Sequence, residues 1–504
     1  MKKEFTALAV RAAEPREQVL PITARTVGIV LAYALGFFAA LPLALLRFGM
    51  SADLALAFSP IPSAVAKALA VLLGALGARM LLGSMWQLWQ RGRGLPISHL
   101  PPARLVSSGY FERVRHPIYV GYSLLFVGVG CALRSLGVAV LAGTVLVLAW
   151  CSYAAFIEEP MLIVRFGAAY EARLAKTERV PLPLPRLFAE RVLKSTWLWL
   201  RPLSERIANR PVWFASGHAL WVGYGGLLAL GAAAAATIAA LLFAGSLPPR
   251  AIYEYVLGLA LCMLAGGRIA WLGYEYRSLL ARPLNTLRRV GFVSFGAYLS
   301  MFAFVALWPR FCAPELGSLW LLDRTMLACL VCSGFGRVGC LSYGCCYGKP
   351  CCAGIRYWHP HSKVLRERGA DGSVARAPTQ LLSSLLAFGS AALLALLLGG
   401  GAPPGFASLC SALVYGLIRF NIEGLRDEQR FFAGRLTRGQ FASAAIALLA
   451  LLTIPCLPLA RSAHPATFID WQLDTLQEFW PLPLLAALPV FLVCGYHRRH
   501  VGSW

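Results

Sequence analysis

Apolar runs long enough to cross a membrane recur along most of the chain. A membrane-spanning helix needs about 20 predominantly apolar residues, and twelve runs come close to that length or exceed it. They cover residues 26–48, 64–86, 118–136, 137–157, 212–244, 253–273, 290–308, 319–335, 379–399, 404–420, 439–457 and 481–496. The pattern therefore predicts an all-α polytopic membrane protein with about 12 transmembrane helices, two of which, within 118–157, form a tight hairpin.

One polar segment interrupts this series. Residues 165–211 contain ten Lys and Arg, four Glu and a Pro-Leu-Pro-Leu-Pro run at 181–185. A segment of this composition is typical of a connection between domains. We therefore expect two helical membrane modules, 1–164 and 212–504, joined by a basic cytoplasmic linker over 165–211.

The composition agrees with a membrane protein, since 58% of the 504 residues are hydrophobic and 14% are charged. Lys and Arg number 47 against 23 Asp and Glu, which gives a net charge of +24. In a soluble protein this excess would suggest nucleic acid. Here the basic residues cluster in alternate loops, as the positive-inside rule describes, and anionic lipid headgroups are the expected partners. No nucleic-acid partner is predicted.

The same charge distribution predicts the orientation. The basic segments are 87–117, 165–211, 274–289, 336–378 and 421–438, and with twelve spans they all fall on the side of the N-terminus. The first 25 residues are polar and charged, and the run that follows is long enough to remain as a helix, so no cleaved signal is expected. We predict a multi-pass protein of the bacterial inner (cytoplasmic) membrane with both termini in the cytoplasm.

The first module carries a motif rich in polar groups at a membrane boundary. Residues 115–121 read Arg-His-Pro-Ile-Tyr-Val-Gly, and the hairpin that follows ends in the carboxylates Glu158 and Glu159. Adjacent carboxylates at such a position are costly unless they face cations or a polar ligand. Opposite Arg115 and His116 they could bind a zwitterion with both ammonium and carboxylate groups. An Arg–Glu pair that only joins two helices is the alternative.

These motifs resemble the isoprenylcysteine carboxyl methyltransferase and phospholipid methyltransferase family over about residues 60–190. The Arg-His-Pro-x-Tyr-x-Gly motif is followed in order by Gly-x-Gly at 128–130, Glu-Glu-Pro-Met-Leu at 158–162, Phe-Gly-Ala-Ala-Tyr at 166–170 and Val-Pro at 180–181. The resemblance implies S-adenosylmethionine as cofactor, bound at the cytoplasmic face, with Arg115 catalytic and near the methyl acceptor. The cofactor-binding residues it implies are His116, Tyr119, Gly128, Gly130, Glu158 and Glu159.

In the second module, residues 336–350 place four glycines and Arg337 directly after an apolar run. Glycines at this density let backbone amides approach a ligand, and an arginine at the boundary can hold a phosphate or carboxylate with two hydrogen bonds. The alternative is a glycine-rich re-entrant turn whose arginine only reaches toward the headgroups.

Two further segments of this module are basic at membrane ends. Arg419, Glu423 and Arg426 lie at i, i+4 and i+7, which puts them on one helix face. A plain surface salt bridge would explain them, yet Arg268 and Arg337 would also lie at membrane ends of the same bundle. Arginines in that position generally meet anions.

This order of motifs resembles the prolipoprotein diacylglyceryl transferase family over about residues 210–455. The motifs are Gly-Arg-x-Gly at 336–339, Pro-Thr-Gln-Leu at 378–381 and Arg-Phe-x-x-Glu-x-x-Arg at 419–426. The family moves a diacylglyceryl group from phosphatidylglycerol to a lipoprotein cysteine, so the resemblance implies a phosphatidylglycerol-like substrate. It implies catalytic roles for Arg337, Arg419 and Glu423, and lipid binding by Arg268, Gly339, Gly344, Gln380 and Arg426.

The second module departs from that family in three respects. The family often has a histidine in a Phe-His-Gly-Gly motif, whereas here Phe295 precedes Gly296 and Ala297. Cys340 stands where asparagine is usual. Charge counting also places the signature loop inside, although the family acts on exported proteins at the outer face. We therefore expect headgroup recognition and glyceryl-type transfer more than a lipoprotein acceptor.

Five cysteines crowd into residues 340–352, and His359 and His361 follow. Thiolates suit zinc, but vicinal pairs are awkward for a tetrahedral site and no Cys-x-x-Cys spacing occurs. A catalytic thiol is a second possibility and plain packing a third. Packing is favoured and no metal is assigned. The histidines could replace the missing imidazole as a general base, or could simply be solvated.

Together the two halves predict a bifunctional lipid-modifying transferase of the membrane, with a lipid or protein as acceptor. The inference from fusion to a shared route is by association. Two alternatives remain. One is a lipid methyltransferase whose second half only binds lipid, and the other is a non-catalytic lipid-binding scaffold.

Overall fold

The computed structural model describes residues 28, 31–32, 34–94, 102–177, 200–288, 291–314, 316–428, 436–458 and 477–498. The start of the first predicted span, residues 178–199 of the predicted linker and the Val180-Pro181 pair lie outside this part of the chain. The terminal residues also lie outside the described ranges, so the predicted cytoplasmic location of both termini stays a prediction.

The described residues are mostly helical. Before residue 178 the helices are α1 Gly36–Leu56, α2 Ser63–Gly92, α3 Tyr110–Arg113, α4 Pro117–Ala132, α5 Gly137–Phe166 and α6 Ala168–Lys176. After a helix over 200–208 come β1 Val212–Ser216, β2 Ala219–Val222, α7 Gly223–Phe243, α8 Pro249–Tyr274, α9 Tyr276–Ala281, α10 Pro283–Arg288, α11 Ser294–Cys312, α12 Ser318–Tyr343, β3 Pro350–Ile355, α13 Lys363–Arg368, α14 Thr379–Gly399, α15 Phe406–Gly424, α16 Arg438–Cys456, α17 Gln477–Gly495 and β4 Tyr496–Arg498.

Ten of these helices are long and apolar enough to cross a membrane. They are α1, α2, α5, α7, α8, α11, α12, α14, α16 and α17. The shorter apolar helix α4 and the charged helix α15 occupy the two remaining predicted runs. The prediction of an all-α polytopic membrane protein with about twelve spans is confirmed, and the predicted hairpin within 118–157 is formed by α4 and α5.

Several predicted span boundaries were wrong. The first span ends at Leu56 and not at residue 48, and the fourth ends at Phe166 and not at residue 157. The run 212–244 begins with an antiparallel hairpin in which Phe214 pairs with Trp221, and β4 completes the sheet in the order β1-β2-β4. Aromatic and β-branched residues around Gly217, whose φ is +57°, favour this turn over a helix. The span predicted to end at residue 335 continues to Tyr343, so the Gly-Arg-x-Gly motif is helical.

The chain forms two compact units. The first comprises Met1–Pro185, Arg430–Leu436 and Leu451–Leu459, and the second comprises Arg186–Gln429, Thr437–Ala450 and Ala460–Trp504. The predicted linker 165–211 is helical over most of its described residues, because α5 extends to Phe166 and α6 follows at once. The predicted division into 1–164, 165–211 and 212–504 stays a prediction.

In each unit an aspartate caps the start of a neighbouring helix. In the first, Asp53 accepts a hydrogen bond from the backbone N–H of Gly137 at 2.7 Å. In the second, Asp323 accepts from the N–H groups of Gly405 and Ser408 at 2.7 and 2.9 Å. A helix start leaves N–H groups without partners, and in a membrane these need a protein acceptor. The two carboxylates therefore fix the start of α5 relative to α1 and the start of α15 relative to α12.

Candidate functional sites

The first site lies where α4 begins and α5 ends. Arg115 and His116 directly precede Pro117, the first residue of α4, and Glu158 ends a π-helical turn at Ala154–Glu158 within α5. Pro160 follows and has no N–H to donate to the preceding turn, so the helical ladder is interrupted at this point. The local break presents two adjacent carboxylates to the start of α4.

The structure brings the predicted polar residues together. Arg115 Nη1 lies 3.3 Å from Glu159 Oε1, and His116 Nε2 lies 3.2 Å from the same oxygen. His116 Nδ1 is 3.6 Å from Glu158 Oε2. Burial disfavours the charged imidazole, but the hydrogen bonds and charges of Glu158 and Glu159 outweigh it, so the pKa of His116 is raised. The imidazole therefore bridges both carboxylates.

Arg115 is also anchored to α6. Its Nη2 donates to the carbonyls of Leu174 and Thr177, each at 2.8 Å, and these belong to the C-terminal end of that helix. Terminal carbonyls of a helix lack partners within it, and the helix dipole favours a cation there. Arg173, which sequence reasoning missed, donates to the backbone carbonyl of Arg115 at 3.0 Å. Arg115 is thus held rigidly from three sides.

An aromatic stack adjoins the carboxylates. The ring of Tyr119 lies parallel to Trp150 with 4.8 Å between the ring centroids, and the centroid of His116 is 5.6 Å from that of Tyr119. The Tyr119 hydroxyl donates to Glu158. The Glu158 side chain is 27% exposed, whereas that of Glu159 is 5% exposed. Glu158 is therefore the carboxylate open to a ligand, and Glu159 is the one that fixes Arg115 and His116.

Three polar atoms at this site are buried without a hydrogen-bond partner among the described residues. They are the indole nitrogen of Trp150, the hydroxyl of Tyr170 and Nε of Arg173. Burial, and then the charges of Glu159 and Glu158, raise the pKa of Tyr170. Tyr170 ends the Phe-Gly-Ala-Ala-Tyr motif, so the sequence could have identified it as a site residue. Trp150 belongs to no motif and could not have been identified in that way. Buried donors without acceptors often mark a ligand position.

The two predicted cofactor glycines are placed differently. A Cβ on Gly128 would lie 2.8 Å from the backbone nitrogen of Gly74 in α2, and one on Gly130 would lie 2.6 Å from that of Ala139. These glycines therefore let helices approach closely. The structure does not bring them to the carboxylates, and their cofactor role stays a prediction.

The second site is a cavity of about 510 Å³ in the second unit. One part is lined by small and apolar side chains of α7, α8 and α11, such as Ala235 and Leu264, and the other is polar. The polar part is lined by Tyr224, Tyr298, Arg337, Cys340, Cys345, Cys346, Lys363, Glu367, Arg426, Asp427 and Glu428. The polar lining contains three cationic side chains, Arg337, Lys363 and Arg426, and an equal number of carboxylates. Apolar lining together with arginines is what a phospholipid with an anionic headgroup requires.

Arg419, Glu423 and Arg426 form a buried ion-pair group beside this cavity. Arg419 donates to Glu423 and to Ser383, and Arg426 Nη1 lies 2.8 and 3.0 Å from the two carboxylate oxygens of Glu423. Gly439 is required here, since a Cβ would lie 2.7 Å from the Glu423 carboxylate. The shared helix face was predicted, and its burial makes it more than a surface salt bridge.

Arg337 is placed differently from Arg419. Its guanidinium lines the cavity wall, and the hydrogen bond recorded for it is to Cys346 Sγ at 3.9 Å. Within the described part of the chain no carboxylate lies at ion-pair distance from it. Arg426 also lines the cavity but is paired with Glu423 and Glu428. A cation in a membrane helix without an acidic partner points to an anionic ligand.

The Pro-Thr-Gln-Leu motif holds the cysteine turn. Gln380 Nε2 donates to the carbonyl of Cys345 at 2.8 Å, and Thr379 Oγ1 donates to that of Cys346 at 2.8 Å. Gly344 has φ +75°, and a Cβ there would lie 2.1 Å from Ser362 Oγ. Gln380 and Gly344 therefore shape the wall of the site from behind, and their predicted lipid contact stays a prediction.

Four further residues singled out in the sequence do not line the cavity. Arg268 donates to the carbonyls of Leu287 and Gly291 at 2.7 and 3.1 Å and is not in the cavity wall. Gly339 packs against Tyr224, with a hypothetical Cβ 3.0 Å from its ring. His359 and His361 are paired with each other, with ring centroids 5.6 Å apart, and neither lines the cavity. The histidines therefore lack the position that a general base would need.

The cysteine cluster is tighter than its sequence spacing suggested. The Sγ atoms of Cys340, Cys345 and Cys346 all lie within 4.8 Å of one another. Cys346 adopts φ +55°, a left-handed conformation uncommon for a residue other than glycine, and this directs both vicinal thiols toward α12. Hydrogen bonds from the other two thiols, and then the charges of Arg426 and Arg337, hold the pKa of Cys346 well below its usual range.

Comparison with known proteins divides the chain in the same way. Residues 211–455 match the family model described as prolipoprotein diacylglyceryl transferase, and residues 65–169 match that described as phospholipid methyltransferase. Both families are transferases, so the recognised combination of two halves and the prediction of a membrane transferase are confirmed.

Two curated relatives match the second half. One is phosphatidylglycerol–prolipoprotein diacylglyceryl transferase 2 of Clostridium perfringens (strain 13 / type A), 29% identical over 195 residues, which is 38% of this chain and 72% of the relative. The other is phosphatidylglycerol–prolipoprotein diacylglyceryl transferase of Clostridium tetani (strain Massachusetts / E88), 27% identical over 242 residues, 46% of this chain and 92% of the relative.

Proposed function

We propose that this protein is a bifunctional lipid-modifying enzyme of the bacterial inner membrane. The first half would transfer a methyl group from S-adenosylmethionine, and the second would transfer a diacylglyceryl-type group from an anionic phospholipid. The observation that carries the proposal is the second cavity, with its apolar end and its unpaired Arg337. The names of the two clostridial relatives support phosphatidylglycerol as the donor and a lipid or protein acceptor.

The first site fits S-adenosylmethionine through its own residues. The open carboxylate Glu158 suits the ammonium or sulfonium charge, and the anchored Arg115 suits the cofactor carboxylate or an anionic acceptor. The Tyr119–Trp150 stack offers an aromatic wall for a purine or a cation. The cofactor supplies the methyl group, and the protein needs mainly to hold donor and nucleophile in line. His116 keeps Glu158 and Glu159 in place.

In the second site the protein's part is to bind the phosphate and keep it from water. Arg337 and Arg426 lie at the polar end, where charge-assisted hydrogen bonds to a leaving phosphate stabilise developing negative charge. Glu423 fixes Arg426 and Arg419 from behind. The acyl chains would occupy the space between α7, α8 and α11.

One specific observation favours a narrower function. Ala297, at the position where the resembling family has part of its histidine motif, lines the cavity and is 3% exposed. No histidine occurs among the described residues that line the cavity. A methyltransferase whose second half only binds phospholipid is the second candidate.

The decisive experiment uses two labelled substrates with the purified full chain. Adenosylmethionine with a labelled methyl group is incubated with bacterial lipid extract, and phosphatidylglycerol with a labelled glycerol headgroup is incubated with the same extract and with a cysteine peptide. Labelled lipid in the first case and released glycerol phosphate in the second support bifunctionality. Methyl transfer alone supports the narrower function. Neither reaction, with both ligands bound, would overturn both and leave a scaffold.

We propose that both termini and the second signature segment face the cytoplasm. Three exposed cysteines test this orientation. Cys351 lies on the predicted inner side, and Cys312 and Cys456 lie on the predicted outer side. A thiol reagent that cannot cross membranes should label Cys312 or Cys456 in intact spheroplasts and should reach Cys351 only after lysis. Labelling of Cys351 alone before lysis would reverse the orientation.

A further inference from the structure

The three clustered thiols are the starting observation. Cys340 comes from the last turn of α12, and Cys345 and Cys346 come from the turn directly after it. Sulfur atoms that share one zinc ion at about 2.3 Å lie about 3.8 Å apart. The observed upper limit of 4.8 Å requires a contraction of at most about 1 Å. We propose that Cys340, Cys345 and Cys346 form a site for one thiophilic divalent cation of the zinc class.

The backbone around the cluster is held as a metal site requires. Gly344 and Cys346 both have positive φ, at +75° and +55°, and this double left-handed turn lets two adjacent thiols point to the same place. The carbonyls on that turn are fixed by Gln380 and Thr379 at 2.8 Å each. Supporting hydrogen bonds that orient ligands are a general property of metal sites. A loop that packs cysteines only as small apolar groups needs no such turn.

The charges around the cluster suit metal-bound thiolates. Three thiolates and one divalent cation carry a net charge of −1. Arg337 Nη1 lies 3.9 Å from Cys346 Sγ and has no acidic partner at ion-pair distance among the described residues. A guanidinium at this distance offsets the negative charge of metal-bound thiolates. The anionic site would therefore balance a cation that the rest of the described cavity leaves unpaired.

The three thiols supply one ligand fewer than a four-coordinate zinc site needs. Within the described residues, no histidine, aspartate or glutamate joins the three thiols at ligand distance of one another. All three cysteines line the cavity. Sites with three protein ligands and a fourth position open to a cavity are typical of catalytic zinc, whereas structural zinc is enclosed by four. The fourth position would take water or a ligand from the cavity.

If the proposed diacylglyceryl transfer uses a thiol acceptor, a metal ion with an open position could activate that thiol in place of the histidine that the second half lacks. A thiol bound to zinc there would lose its proton to water and stay as thiolate. Its sulfur would attack the glyceryl CH₂, the C–O bond to phosphate would break, and the oxygen would leave with the electron pair as glycerol phosphate. This consequence rests on the proposed function, whereas metal binding itself does not.

The test measures metal without any lipid substrate. The tag-free full chain, reduced and purified in detergent, is equilibrated with zinc chloride, desalted and analysed by mass spectrometry for metal. About one zinc per chain is expected for the wild type and for Cys351→Ser, the exposed neighbour outside the cluster. C340S, C345S and C346S should each bind at least about 10-fold more weakly in competition with a chromophoric chelator. Size-exclusion profiles check that each variant is folded.

A second measurement uses the wild type alone, so it does not depend on the variants folding. Cobalt in place of zinc should give the intense bands of a thiolate-rich tetrahedral site, and a small thiol should shift them by filling the fourth position. A wild type that retains no metal, or C340S that binds as tightly as C351S, would overturn the site. A disulfide among the three thiols in the protein as isolated, with no metal uptake after reduction, would do the same. Metal uptake without phospholipid turnover would instead remove the proposed function and keep the site.

Discussion

The two sites differ in which sign of charge is left open to a ligand. In the first, Arg115 is occupied by Glu159 and by two helix carbonyls, while the carboxylate of Glu158 is 27% exposed. In the second, Glu423 is 2% exposed and shared by Arg419 and Arg426, while Arg337 faces the cavity. The first site therefore offers an anion to a cationic ligand, and the second offers a cation to an anionic one.

This difference shows that the role of an Arg–Glu pair can be inferred only when the groups around it are known. Both sites contain arginine and glutamate within hydrogen-bond reach, and both motifs look alike as isolated Arg–Glu pairs. What each site can recognise depends on the charged group that stays accessible, which is the carboxylate of Glu158 in the first site and the guanidinium of Arg337 in the second. A sulfonium and a phosphate are ligands of opposite sign that fit these two sites.

The largest effect is expected from removing the open cation. Arg337→Ala should lower phosphatidylglycerol turnover by about 1000-fold, since it removes a charge-assisted donor to the leaving phosphate. Thermal stability should change little. Arg250→Ala is the matched control, because its side chain is 90% exposed, and it should keep full turnover. Normal headgroup release by the Arg337 variant would show that this arginine is structural.

Arg419→Ala should act on folding instead. The change leaves Glu423 buried with one cation fewer, and Ser383 keeps only its hydrogen bond to the carbonyl of Thr379. Breaking a buried pair costs about 3 kcal/mol of stability, and Arg426 limits the loss to that range or below. Thermal unfolding of the purified variant measures it. If Arg419→Ala kept the wild-type midpoint and lost only turnover, the distinction between Arg419 and Arg337 would disappear.

The open anion of the first site gives the corresponding change there. Glu158→Gln keeps the shape of the side chain and its contact with Tyr119 but removes the charge. Adenosylmethionine affinity should fall by about 30-fold, in the range of one charge-assisted contact of about 2 kcal/mol. Titration calorimetry measures it, and methyl transfer should fall with it. Unchanged affinity would remove Glu158 from the ligand and leave the pair of carboxylates as a helix lock.

Two facing glycines separate packing from cofactor binding. Gly128→Ala should lower stability by about 1–2 kcal/mol, because its Cβ would lie 2.8 Å from the Gly74 nitrogen. Gly74→Ala is the control across the same contact, since a Cβ there meets nothing within 4 Å. It should be neutral or slightly stabilising. Weaker adenosylmethionine binding by Gly128→Ala at unchanged stability would support the cofactor role predicted from the sequence.

The smallest expected effect is a pH dependence in the first site. The folded pKa of His116 is raised above its ordinary value of 6.5. The stabilisation from its charged form is therefore complete below about pH 6.5 and is lost as pH rises through the higher folded pKa. The difference in unfolding temperature between wild type and His116→Asn should be larger at pH 6 than at pH 9. A difference that is constant across this range would mean that His116 stays neutral.

Much of this protein follows from its sequence. Twelve apolar runs gave the helices, because a membrane requires a certain length of apolar helix whatever the tertiary structure is. The apolar runs did not predict at which residues the helices begin and end. Residues 212–222 are as apolar as a helix but form a hairpin, and 336–343 are rich in glycine but complete α12, since contacts with other segments decide both.

The candidate sites were predictable only in part, for the same reason. The motifs identified Arg115, His116, Glu158 and Glu159 as a group and placed Arg419, Glu423 and Arg426 on one face. Trp150 had no signal, because an aromatic residue inside an apolar run is ordinary. Arg268 was assigned by motif, yet its hydrogen bonds go to backbone carbonyls outside the cavity wall.

The amino-acid sequence by itself determined that the chain is a membrane protein of two dissimilar transferase-like halves, because span length and motif order are local properties. The tertiary structure decided which charges are paired and which are open. It also brought Cys340 to within 4.8 Å of two thiols that no known spacing linked to it. Ligand recognition depends on distances between helix ends, and only the packing of helices against one another sets those distances.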